Sequence, residues 1–127
     1  MSLKGFDISI FKNSKPPSNK SLKTLKEIQE LTKIKSDPDF VKKCDDQHKC
    51  FVELGFSKGI DIDQEELNEL IGQSADIVMK LKKHFNRPRP KVLAKEYGIP
   101  LVTIELKTME TPSYPSGHSS QSRMLGR

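Results

Sequence analysis

The sequence predicts an all-α fold, a helical bundle, from three observations. Apolar residues recur at helical spacing in two long stretches, Leu22–Ile34 and Leu67–Phe85. Side chains suited to capping stand before each stretch. Only Leu101-Val102-Thr103-Ile104-Glu105-Leu106 looks extended, and one isolated strand cannot build a sheet.

Residues 1–20 read as an irregular arm, with Phe6, Ile8, Ile10 and Phe11 available for packing and Asn13-Ser14-Lys15-Pro16-Pro17-Ser18-Asn19 breaking any regular element. Ser21 caps a first helix whose apolar stripe is Leu22, Leu25, Ile28, Leu31 and Ile34. Asp37-Pro38 starts a second, because Asp accepts from free N–H groups and Pro suits the first helical position. Phe40, Val41, Cys44, Phe51 and Leu54 carry that helix to a stop at Gly55.

Asp63-Gln64-Glu65-Glu66 has the form of a capping box. The helix behind it presents Leu67, Leu70, Ile71, Ile77, Val78, Leu81 and Phe85, and should end near Asn86 because Pro88 and Pro90 disfavour continuation. A short helix over Lys91–Tyr97 ends at Gly98 and Pro100. After the rigid Thr111-Pro112-Ser113-Tyr114-Pro115 turn, a last helix starts near Ser116. There are no internal repeats. The chain divides into the arm, 1–20, and an incomplete helical domain, 21–127.

The 127 residues suit one domain, though 31% charged content and the absence of Trp leave a modest core. Net charge is +5, and it is local. Residues 80–91 hold six Lys or Arg and no acid, leaving 16 basic against 17 acidic residues elsewhere. The natural partner of such a segment is an anion. No zinc-finger spacing or aromatic–basic alternation is present, which argues against nucleic acid.

No apolar leader or membrane-length run is visible, so a cytoplasmic location is expected. Cys44 and Cys50 form no CxxC, and on one continuous helix they would face different sides, so both read as reduced thiols. His48 lies near Asp45 and Asp46 but at no recognised ligand spacing, so no metal site is expected. His84 reads as a partly exposed helix residue.

Two motifs carry chemistry. In Lys80-Leu81-Lys82-Lys83-His84-Phe85-Asn86-Arg87-Pro88, Lys80 and Arg87 stand seven residues apart. On one helix that is nearly two turns, about 10 Å along the axis, so both cations can converge on one ion. Arg offers a bidentate fork and Lys a point charge. In Pro115-Ser116-Gly117-His118, Gly117 exposes its N–H, Ser116 adds a hydroxyl, and a helix starting here turns free N–H groups toward an anion. His118 can give a proton to a leaving oxygen. Phosphoryl transfer asks for such a set: fixed cations and donors around a spread negative charge.

In this order and spacing, Lys-x6-Arg-Pro and Pro-Ser-Gly-His resemble the first two signature motifs of the type 2 phosphatidic acid phosphatase / vanadium haloperoxidase superfamily, and in particular its soluble acid phosphatases. The Pro16-Pro17-Ser18-Asn19 lead-in is similar to soluble members too. The resemblance implies the N-terminal part of an acid-phosphatase-type bundle. It implies that Lys80, Arg87, Ser116 and the Gly117 N–H bind phosphate oxygens and that His118 is the general acid.

The superfamily's third motif, Ser-Arg-x5-His-x3-Asp, supplies a nucleophilic His. Here Ser122-Arg123 matches its first dipeptide, but no His or Asp follows His118. The expectation is a phosphatase-like chain that binds phosphate or a phosphomonoester, lacks the nucleophile, and is inactive alone. The alternative is a non-catalytic anion- or partner-binding protein. A haloperoxidase-like chain, with vanadate as its cofactor, ranks below both; otherwise no cofactor is expected. Apolar stripes left uncovered in an incomplete bundle predict a marginal monomer or a homo-oligomer.

Overall fold

The computed structural model describes Leu3 and residues 5–125. Among them are six α-helices and no strand: α1 (Leu22–Leu31), α2 (Pro38–Cys44), α3 (Gln47–Ser57), α4 (Gln64–Phe85), α5 (Pro90–Glu96) and α6 (Gly117–Leu125). Short 3-10 turns cover Ile8–Phe11 and Lys107–Glu110. The Leu101–Leu106 segment finds no pairing partner and stays irregular.

Helix α4 organises the molecule. It packs against α3, α6 and the Ile8–Phe11 turn, while α1 pairs with α5 and α2 with α3. Asp63 caps α4 by accepting from the N–H groups of Glu65 (3.0 Å) and Glu66 (3.3 Å). The helix ends at Asn86, which takes a left-handed conformation (φ 46°) ahead of Pro88. At about 100° per residue its apolar residues Leu67, Leu70, Ile71, Ile77, Val78, Leu81 and Phe85 all return to one face, and Val78 and Leu81 are buried. A second buried cluster joins Ile28 of α1 to Leu93 and Ala94 of α5.

Two expected helices differ. The α1 stripe was expected to run at strict three-residue steps to Ile34, but α1 ends at Leu31, with Ile28 and Thr24 buried and Leu22 exposed. Three residues turn a helix by only about 300°, so such a stripe drifts around the cylinder and cannot all face one partner. The expected single helix from Asp37-Pro38 to Gly55 is instead two, broken at Asp45–Asp46. Gly55 does not stop α3: it is buried within it, and a Cβ there would run into Ile62 and come within 3.1 Å of the Ile60 carbonyl. The chain turns just beyond α3, at Gly59, where φ is +72°.

Candidate functional site

The segment Thr111–Pro115 ties the end of α4 to the start of α6. The Ser113 N–H donates to the Arg87 carbonyl (2.9 Å) and its hydroxyl to the Pro88 carbonyl (2.9 Å). Tyr114 packs edge-on against Phe85 with ring centroids 5.1 Å apart, and its hydroxyl donates to the Ser14 carbonyl (2.7 Å). Ser116 then caps α6, its hydroxyl accepting from the Ser119 N–H (3.2 Å). The N-terminus of α6 is thereby fixed beside the last turns of α4.

Between them lies a cavity of about 220 Å³. Ser116, Gly117 and His118 line it, and the cations they meet there are Lys82 and Arg89. Lys80 is exposed and does not reach it. Two residues turn an α-helix by about 200°, so Lys80 and Lys82 occupy opposite sides of α4. Lys82 lies four residues after Val78, on the packed face, and is only 4% exposed.

Arg87 does not line the cavity either. Its guanidinium turns to α1, pairing with Glu27 (3.0 Å) and donating to the Thr24 hydroxyl (3.2 Å). The Lys-x6-Arg-Pro spacing occurs a second time two residues later, as Lys82-x6-Arg89-Pro90. Helical geometry separates the two registers. The Val78–Leu81–Phe85 stripe puts position 82 near the packed face and position 80 away from it.

Both cavity cations hold the Thr108–Pro112 loop. The Lys82 ammonium donates to the Pro112 carbonyl. The Arg89 Nε donates to the Thr111 carbonyl (2.7 Å) and its Nη2 to the Thr108 carbonyl (2.9 Å). Burial pushes the Lys82 ammonium below the usual lysine range, and the Arg89 charge pushes it the same way. Burial likewise lowers Arg89. Among the described residues no Asp or Glu lines this cavity, and the carboxylate of Asp45 stands behind His118 and Thr108, lining the adjoining cavity with Arg89.

His118 is held from its far side by the α2–α3 corner. Its Nε2 lies 3.1 Å from the Asp45 carbonyl oxygen and 3.1 Å from the Asp45 carboxylate. A carbonyl only accepts, so Nε2 carries the proton, and Nδ1 is the nitrogen left to exchange a proton with a ligand. Thr108 donates to the same carboxylate (2.7 Å), and Gln47 donates to the His118 carbonyl (2.7 Å) and to Ser122 (2.7 Å). The sequence offers Asp45 only as a neighbour of His48 and gives no signal for Gln47, because their contacts with His118 span more than seventy residues.

A Cβ at Gly117 would meet only Val78, at 3.8 Å, so protein packing does not demand a glycine there. His84 stacks edge-on against Phe85, and His48 pairs with Asp46 (2.7 Å). Among the described residues no three His, Cys, Asp or Glu side chains group to hold a metal ion. No described helix is long and apolar enough to cross a membrane.

Comparison with protein-family models, with curated proteins and with solved structures returned no match.

Proposed function

We propose that the chain carries the oxyanion-binding part of a phosphatase-type site, in which Lys82 and Arg89 take phosphate oxygens. The Ser116 hydroxyl and the Gly117 N–H complete the cradle, and His118 serves as proton donor to the leaving oxygen. The ligand is phosphate or a phosphomonoester. The observation that carries this reading is the meeting of two cations with the α6 N-terminus in one cavity without a lining carboxylate. The resemblance of both motifs to the phosphatidic acid phosphatase / haloperoxidase superfamily supports the same chemistry, with Lys82 and Arg89 in the first motif's roles instead of Lys80 and Arg87.

Within the 127 residues the site is a binding site before it is a catalytic one. His118 is the only His among the cavity's described lining residues, and its assigned work is proton donation, which leaves no His to attack phosphorus. Non-catalytic anion binding is therefore the second reading. Two measurements test the pair. Orthophosphate should bind the chain at one site in a calorimetric titration, and saturation at a hundred times Kd should stabilise the fold by about 2.7 kcal/mol. Neither heat nor thermal stabilisation would remove the oxyanion site. Turnover of para-nitrophenyl phosphate by the same chain should be negligible; robust turnover abolished by His118→Ala would show that a nucleophile is present after all.

A further inference from the structure

The sulfurs of Cys44 and Cys50 lie 2.9 Å apart. Helix α2 ends at Cys44, the chain turns at Asp45–Asp46, and Cys50 falls in the first turn of α3. The helix break thus brings together two thiols that a continuous helix would hold apart. A disulfide has a sulfur–sulfur distance of about 2.05 Å, so an approach of roughly 0.9 Å closes the bond. Both thiols are half-buried and line an open cavity of about 430 Å³ with Phe40, Phe51 and Leu54, which admits a small oxidant.

We propose that Cys44 and Cys50 are a redox pair, forming a reversible intramolecular disulfide that staples α2 to α3 at the corner holding His118. With a hydroperoxide as oxidant, one thiolate attacks the peroxide oxygen and becomes a sulfenic acid, releasing water. The second sulfur then displaces the sulfenic hydroxyl, which leaves as a second water. Two thiols and one hydrogen peroxide give one disulfide and two waters, a two-electron oxidation. A dithiol reductant reverses it by exchange through a mixed disulfide. Cys50 is held above the usual thiol range, first by its hydrogen bond with Cys44 and then by burial, which suits it to the second, resolving role.

The ring closed by this bond contains Asp45 and Gln47. Those residues hold the His118 imidazole and the His118 carbonyl respectively. Oxidation therefore fixes the turn that fastens the start of α6. The bond itself does not depend on the phosphate reading, and its consequence is read without activity.

The test uses the whole chain, reduced, desalted and treated with hydrogen peroxide. Intact mass should fall by two hydrogens, and alkylatable thiols should fall from two to none, with dithiothreitol restoring both. Trypsin should leave 44–49 linked to 50–58, since cleavage after Lys43, Lys49 and Lys58 separates the two cysteines. Cys44→Ser and Cys50→Ser should each abolish that linked species. Two thiols remaining after oxidation, or linkage only between chains, overturns the pair. Amide exchange at 118–122 should slow in the oxidised form; unchanged exchange there overturns the link to His118.

Discussion

Lys82 carries its ammonium on the packed side of α4, beside Leu81 and four residues beyond Val78, where the Arg89 charge also bears on it. Folding disfavours the charged form of a base in such surroundings, so its pKa falls from 10.5. Between the folded value and 10.5 the unfolded chain binds more protons at this residue, so this residue's contribution to stability rises with pH there. The proposed anion binding runs the other way, because it would use the ammonium. Phosphate affinity should therefore decline as pH rises toward the lysine range, beginning below 10.5, and the decline should vanish in Lys82→Met. Calorimetric titrations across alkaline pH check this; a decline that survives in Lys82→Met assigns it elsewhere.

Gly117 is the other residue whose identity its protein neighbours do not explain. With room for a Cβ, Gly117→Ala should keep or slightly raise stability, by up to about 1 kcal/mol. The added methyl stands where a ligand would approach the backbone N–H, so phosphate affinity should drop tenfold or more. Full affinity in this variant would mean that the N–H of residue 117 does not contact the ion. Ser116, Gly117 and His118 were legible because they are contiguous and carry their own punctuation. The cation pair was ambiguous in the sequence, because Lys-x6-Arg-Pro fits it twice and only the packed face of α4 separates the two fits.

At the scale of elements, caps were the reliable signals. Ser21, Asp37 and Asp63 each accept from the backbone N–H groups of the helix they open. Helix interiors were less legible. The α2–α3 break at Asp45–Asp46 has neither Gly nor Pro to mark it, and Gly55, which resembles a stop, is required by packing instead. Gly55→Ala should destabilise the chain by about 1–3 kcal/mol, because its methyl overpacks against Ile62 and the Ile60 carbonyl. A thermal melt reads this directly, and an unchanged or higher midpoint would contradict the assignment. The same break produces the Cys44–Cys50 contact and places Asp45 and Gln47 against α6, so an element boundary hidden in the sequence shapes the site.

At the scale of the whole molecule, the core is thin. The buried apolar residues among those described are Ile28, Val78, Leu81, Leu93 and Ala94. Phe40, Leu54, Phe56 and Ile34 remain largely exposed, and Val102 is 97% exposed. Phe40 and Leu54 adjoin the two thiols on the open α2–α3 cavity. Apolar surface of this kind favours association. Light scattering on a sizing column should show a concentration-dependent species larger than 14.4 kDa. A monodisperse monomer with a high melting temperature would show that this surface does not drive association.

In the proposed site Lys82 and Arg89, and not Lys80 and Arg87, face the anion. Calorimetric titration of orthovanadate, which presents oxygens like those of phosphate, into four variants tests it most directly. Lys82→Ala and Arg89→Ala should each weaken binding by about 10- to 150-fold, the range of a lost hydrogen bond to a charged group. Lys80→Ala should bind as the parent does. Arg87→Ala should lose stability through Glu27 and Thr24 while keeping affinity in the folded fraction. Loss of binding in Lys80→Ala with retention in Lys82→Ala would return the site to the first register, Lys80 and Arg87.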